Sequence, residues 1–327
     1  MTNTFKDLGR GLALTAAACC ALALTGCATH PQAPRLSRAA AAQPNARLAA
    51  PHDAALAAEA SAFESFMRHA RGIAPDFSGP SDVAQALQTG AGHEPHQLES
   101  GMIAYAAMAA LQEPRFVAAV RADRARNGPG GGDLARRLAA DPRAALGLAG
   151  GEAAGARASG ALYAQGAALS GEGEKVKHAA YSVQRQAWSK ANVPDARGRL
   201  SRVKRISAEG YQPSREDPAQ LRTALAAGER RAGAPSAVVT RGVALAALSI
   251  LGEDARGRSL MSEPRADSCL RLAKLNLYQC LASAGPHYED IYCLGQHAMI
   301  DPGQCVVDAS RAPATRQVAM SRATYRR

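Results

Sequence analysis

The chain is predicted to be all-α, an irregular bundle or array of short helical hairpins that ends in a disulfide-stapled helical hairpin. Three observations predict this. Aromatic residues make up only 4% of the 327 residues and Trp188 is the single tryptophan, so the core has to be built from Ala, Leu and Val, and Ala is the strongest helix former. Apolar residues recur at three- and four-residue spacing, and no segment of useful length alternates as a half-buried strand does. Proline and glycine punctuate the chain at intervals of about one helix. The 301 residues from Cys27 onward are enough to bury one substantial core or two smaller ones.

The first element is a leader. Lys6 and Arg10 precede an unbroken apolar or small run, residues 11–24, which is long enough for the hydrophobic region of a signal peptide but short of the ~20 residues a membrane-spanning helix needs. Leu24-Thr25-Gly26-Cys27 follows. These four residues resemble the lipobox of bacterial lipoproteins, in which small residues expose the bond before an invariant cysteine to a dedicated peptidase. The resemblance implies that residues 1–26 are removed and that Cys27 carries a thioether-linked diacylglycerol with palmitate-type chains. One acyl chain holds a protein to a membrane reversibly, whereas the family's usual three hold it for good. Ala28, in place of the aspartate that resembles an inner-membrane retention signal, implies an outer-membrane lipoprotein facing the periplasm. The mature chain resembles uncharacterised proteobacterial envelope lipoproteins, a likeness that brings no activity with it.

Charge narrows the partners. The formal balance is +11, and removal of Lys6, Asp7 and Arg10 with the leader leaves 37 basic against 27 acidic residues, or +10. On an exported protein such a balance suits an Arg-rich soluble surface, anionic envelope polymers or lipid headgroups, and it excludes nucleic acid as a partner.

Residues 27–51, with Pro31, Pro34, Pro44 and Pro51, read as a flexible tether. A helical domain is expected over 52–260. Its first helix starts near Asp53, carries Leu56, Phe63, Phe66 and Met67 on one stripe, and ends before Gly72. A short helix from Ser81 stops at Gly90. Residues 97–112 place Leu98, Met102, Tyr105 and Ala109 on successive turns, as a core helix does. Pro114 opens the next helix at its first turn and residues 127–132, Asn-Gly-Pro-Gly-Gly-Gly, close it. That glycine run lacks the Lys-Ser/Thr ending and the preceding strand of a phosphate loop. Gly150-Gly151 is read as punctuation and residues 174–190 as a separate helix, followed by an Arg-rich helix bearing Arg197, Arg199, Arg202, Lys204 and Arg205 on several faces, the pattern of a solvated element. A short helix around Leu221 and Leu225 comes next. Residues 235–251 are the most apolar stretch after the leader, interrupted by Arg241 and ended by Gly252, and read as a buried helix.

The four remaining cysteines, Cys269, Cys280, Cys293 and Cys305, define a four-cysteine hairpin over 261–308. An even number in an exported chain points to disulfides, and the spacing contains no CxxC pair for zinc or redox chemistry. Eleven residues separate Cys269 from Cys280, three helical turns plus ~20°, so both thiols face the same way. Cys280 lies five residues before Gly285 and Cys293 eight after it, while Cys269 and Cys305 lie sixteen before and twenty after. Nested pairing, Cys280 with Cys293 and Cys269 with Cys305, therefore fits an antiparallel hairpin with nearly equal arms. Pairing along one helix would span roughly 16 Å where ~7 Å is the limit. A crossed pairing is left open and would need a sheared hairpin.

Catalytic candidates are few. His93, Glu94, His96 and Glu99 cluster in the sequence, but Pro95 denies them the two-His helical geometry of HExxH, and no metal or cofactor is assigned. Glu99-Ser100, at the start of a helix that ends Ala110-Leu111-Gln112, resembles the catalytic region of lytic transglycosylases, which implies a general-acid glutamate acting on a glycosidic bond. A helix-start carboxylate favoured by the helix dipole explains Glu99 without any catalysis, and is the better reading. Residues 309–327 read as a basic, disordered tail in which Arg316, Arg322, Arg326 and Arg327 are candidate contacts to anionic lipid or peptidoglycan. The function expected is that of a non-enzymatic, lipid-anchored envelope protein, a structural or binding module for peptidoglycan or another envelope protein. A peptidoglycan hydrolase or lytic transglycosylase using Glu99 is the alternative.

Overall fold

A computed structural model describes residues 51–128, 132–212 and 214–312. Cys27, the tether before Pro51 and Arg316, Arg322, Arg326 and Arg327 lie outside the described residues. Among the described residues there are fourteen α-helices and no strands: α1 (Pro51–Arg71), α2 (Pro80–Ala91), α3 (Pro95–Ala110), α4 (Pro114–Asn127), α5 (Gly132–Ala140), α6 (Gly151–Ser182), α7 (Ala187–Lys190), α8 (Ala196–Glu209), α9 (Asp217–Ala226), α10 (Ala237–Leu251), α11 (Asp254–Gly257), α12 (Pro264–Ser283), α13 (His287–Cys293) and α14 (Asp301–Ala309). Short 3-10 turns and a π-helical stretch, Leu294–Ile300, join several of them.

Proline marks the starts. Pro80, Pro95, Pro114 and Pro264 occupy the first turns of α2, α3, α4 and α12, where a missing N–H loses no helical bond. Glu94 caps α3 by accepting from Gln97 N at 2.7 Å, Ser236 caps α10 from Val239 N at 3.0 Å and Glu263 caps α12 from Ala266 N at 2.9 Å. Each bond satisfies a donor that the first turn otherwise leaves free.

α3 is the axis of the core. Every residue from Gly101 to Ala110 is buried, and α1, α6 and α10 pack around it. Phe63 of α1 meets Tyr105 of α3 at 5.1 Å between ring centres, and the Tyr105 hydroxyl accepts from Gln165 of α6 at 3.1 Å. Such a helix must be apolar on all sides, which is why its sequence shows little one-sided patterning.

The helix predicted over 174–190 is resolved differently. α6 runs unbroken for 32 residues to Ser182, and the chain breaks at 183–186, where Ser189 Oγ donates to Val183 O and Gln186 O. Interior glycines ordinarily disfavour a helix, yet here they bring helices together. A Cβ on Gly166 would stand 2.6 Å from Gly303 O of α14, and one on Gly303 would stand 2.9 Å from Gly166 O, so the two backbones touch only because both residues are glycine.

The break predicted at Pro302-Gly303 also takes another form. Pro302 sits in the first turn of α14, and the residues before it widen into a π-helix, which relieves the clash between a proline ring and the carbonyl four residues back. Residues 287–309 thus run as consecutive helical segments against α6. α12 and these segments are linked by Cys269–Cys305 and Cys280–Cys293, with Cα separations of 5.8 and 5.7 Å, the nested arrangement expected. Leu270, Leu277, Leu281 and Ile291 of this hairpin belong to the same core as α1, α3 and α10. Among the described residues no helix is long and apolar enough to cross a membrane.

Candidate functional site

A surface hollow of 830 Å³ lies where α1 ends. Phe66, Ile73 and Phe77 give it apolar walls, and His69 and Tyr211, 5.9 Å apart between ring centres, face it from α1 and the segment after α8. Behind the wall stands a fixed polar network. Arg68 donates to Glu64 at 3.2 Å, to Ser65 at 3.2 Å and to Asp217 at 3.0 Å, and Asp217 also accepts from Tyr211 Oη at 3.1 Å and from Ser214 N. Burial pushes the Asp217 carboxyl up, but these hydrogen bonds outweigh it and hold the group below the usual carboxylate range. Arg68 is thereby occupied internally, and the hollow presents aromatic surface more than cationic charge.

Phe66 also packs on His93, 4.3 Å between ring centres, and beyond His93 lies Lys274 of α12, 4% exposed. Its Nζ donates to Ala91 O at 3.0 Å and Ser207 Oγ at 3.3 Å and stands 3.3 Å from His93 Nδ1. Among the described residues, no carboxylate lies within hydrogen-bond reach of the ammonium. Burial therefore lowers Lys274 to about 7, with only the more distant Glu94 opposing. His93 is held well below its ordinary value, by burial first and then by the charge of Lys274, and its Nε2 is buried with no hydrogen-bond partner among the described residues. The sequence singled out His93 and missed Lys274, because a lysine among Leu272, Leu275 and Leu277 reads as the polar edge of an amphipathic helix.

The second hollow, 380 Å³, lies beside the Cys280–Cys293 disulfide. Tyr181 from the end of α6 and Tyr288 and Tyr292 from successive turns of α13 surround it, with Gln184, Ser283 and Glu289 supplying polar groups. Tyr181 is 57% and Tyr292 36% exposed. Glu289 is oriented by Gly285 N, which donates to Oε2 at 2.8 Å. The Cys280–Cys293 disulfide holds α13, which carries Tyr288, Glu289 and Tyr292, against the end of α12.

Glu99 has a different setting from either hollow. It is completely buried. One oxygen accepts from Ser262 Oγ at 3.0 Å and from Glu263 N, and the other lies 3.1 Å from His96 Nδ1. Glu99 thus holds the residues that start α12 against α3, and it lines neither hollow. His96, Glu99 and Asp267 place one potential ligand atom each within 4.8 Å of one another, but Arg271 Nε engages both Asp267 oxygens, at 2.8 and 2.7 Å. That packing gives the three groups partners without an ion.

Another buried site was hidden in the Arg-rich helix. Arg199 turns inward from α8, pairs with Asp290 of α13 and donates to Leu281 O and Ala284 O at the end of α12. It does not belong to the solvated set that the sequence suggests. Burial lifts Asp290 to about 6 even beside the guanidinium. No protein family matches the sequence, no curated protein is significantly similar to it, and no solved structure matches it.

Proposed function

We propose that the protein is a non-enzymatic, lipid-anchored component of the cell envelope, held to the outer membrane through Cys27 and facing the periplasm, whose helical domain binds another envelope component. The observation that carries this reading is the pairing of all four cysteines beyond Cys27 into two bridges. Disulfides belong to oxidising compartments, and export is what the leader and Leu24-Thr25-Gly26-Cys27 prescribe. A binding role is favoured by two hollows whose walls are set by disulfide, hydrogen bonds and helix ends, since preorganised surfaces lose little freedom on association. Glu99, on which a glycosidic-bond-cleaving alternative rests, has both oxygens engaged inside the protein.

The test is metabolic labelling with an alkyne fatty acid, followed by membrane fractionation. Wild type is expected to carry label in the outer-membrane fraction and Cys27→Ala to carry none. Equal labelling of the two proteins refutes the anchor. Release of muropeptides from purified sacculi by wild type, abolished in Glu99→Gln, refutes the non-enzymatic reading.

A further inference from the structure

The tyrosine hollow has a composition that selects a ligand class. Three of the chain's eight tyrosines line it, two of them exposed at the surface. Its polar lining is Gln184, Ser283 and Glu289, and no Lys or Arg is among the lining residues, although the whole chain carries a net charge of +11. An anionic polymer would meet only Glu289 as a formal charge there, so phosphate, sulfate and lipid headgroups are disfavoured at this place. A purely apolar ligand would strip water from the Gln184 amide and from the carboxylate of Glu289, a charge held by two internal hydrogen bonds.

The remaining fit is a molecule with flat C–H faces and a rim of hydroxyls. Tyrosine rings offer rigid apolar surface at small entropic loss, each with a hydroxyl that hydrogen-bonds at the edge. Ala180 and Ala284 add small side chains to the lining, and the Glu289 carboxylate, which accepts from Gly285 N and more weakly from Tyr288 Oη at 3.5 Å, keeps lone pairs that can accept from ligand hydroxyls. The cavity volume lies at the lower end of the range for small-ligand sites.

We propose that the hollow walled by Tyr181, Tyr288 and Tyr292, with Gln184, Ser283 and Glu289, is a binding site for an uncharged pyranose saccharide. This rests on the reading of the protein as an envelope binding module and names the class of its ligand.

The experiment is isothermal titration of the full chain in detergent with the soluble β-linked tetramer of N-acetylglucosamine, with a polyproline peptide and a sulfated oligosaccharide as separate arms. Wild type is expected to bind the tetramer saturably. Tyr181→Ala and Tyr292→Ala remove exposed rings, so folding is retained and checked by the thermal midpoint, and each is expected to weaken binding roughly tenfold. Leu272→Ala, a 57% exposed residue outside the hollow, is expected to bind as wild type does. No saturation by the tetramer, equal affinity in the tyrosine variants, or stronger binding of the polyproline or sulfated probe overturns the proposal. Membrane fractionation of the same variants reads the Cys27 anchor independently, so failure of saccharide binding and failure of anchoring are distinguishable.

Discussion

Raising the pH from 7 to 9 is expected to stabilise this protein, because Lys274 is buried and, among the described residues, no carboxylate reaches its ammonium. The groups around its Nζ are Ala91 O, Ser207 Oγ and His93 Nδ1, with Glu94 acting from farther away. Folding lowers the amine from 10.5 to about 7. Between these values the unfolded chain binds a proton that the folded chain has released, so stability rises with pH across that window. Each pH unit between the two values is worth about 1.4 kcal/mol, which gives the full effect an upper bound of about 5 kcal/mol, and about 2 kcal/mol of it falls between pH 7 and 9. Urea unfolding should therefore show its midpoint moving up by roughly 0.7–1 M over that interval, for a slope of ~2–3 kcal/mol/M.

Lys274→Met isolates the effect. Its absolute stability mixes a lost ammonium with acceptors left short of a donor, so the slope against pH is the informative quantity, and it should be nearly flat from 7 to 9. Above pH 10 the sign reverses in both proteins. Burial raises Tyr105 to about 12, and a phenol whose folded value is raised contributes stability that disappears as pH climbs from its unfolded value through its folded one. A wild-type midpoint that is level from pH 7 to 9, or a rise retained by Lys274→Met, refutes the assignment of Lys274 as a buried, unneutralised amine.

Three further outcomes are expected. Arg199→Met strands Asp290 and should lower stability by about 3–5 kcal/mol at pH 7. The loss should shrink at pH 5, where Asp290, already raised to about 6 by burial, is protonated; paired denaturation curves at the two pH values check it. Gly166→Ala should destabilise by about 1–3 kcal/mol because its Cβ meets α14 backbone. Gly171→Ala, with nothing within 4 Å of the added carbon, should stabilise by up to ~1 kcal/mol through helix propensity; thermal melts of the two single variants give the opposite signs directly. Non-reducing peptide mapping should recover Cys269 joined to Cys305 and Cys280 joined to Cys293, and replacing Cys280 and Cys293 together by Ser should cost about 2–4 kcal/mol in denaturant unfolding.

Helix starts were legible because their chemistry is local. Pro114 opens α4 as its sequence indicates, and Gly252 ends α10 with φ +79°; both follow from backbone geometry that neighbours need not supply. The nested cysteine pairs were legible for a related reason, since spacing on a helix fixes which thiols share a face. The length of α6 was not legible. Only residues 174–190 read as a helix there, and an interior glycine such as Gly166 disfavours a helix until Gly303 of α14, more than a hundred residues away, packs against it. Arg199 and Lys274 escaped in the same way. An isolated sequence places a cation on the solvent side by default, and it takes partners from distant elements, Asp290 and the carbonyls of Leu281 and Ala284 for Arg199 and Ser207 and the carbonyl of Ala91 for Lys274, to make the inward rotamers possible.

These inward cations also explain why the C-terminal hairpin is positioned as part of the core. Arg199 reaches from α8 to the end of α12 and to Asp290 of α13, while Lys274 reaches from α12 to the end of α2 and to Ser207 of α8. α8 therefore meets the hairpin at two polar anchors that face each other in sequence order, one donated by each side. The disulfides fix the hairpin internally, and these two cations fix it to its surroundings. Because both anchors are hydrogen bonds made at about 3 Å across the α8 interface, a shift of α8 would stretch both at once. The Cys280–Cys293 wall and Tyr288 and Tyr292 on α13 thus gain their fixed placement opposite Tyr181 of α6 from residues on the far side of the hairpin. On that geometry, Arg199→Met should perturb the tyrosine hollow as well as stability, although Arg199 does not line it.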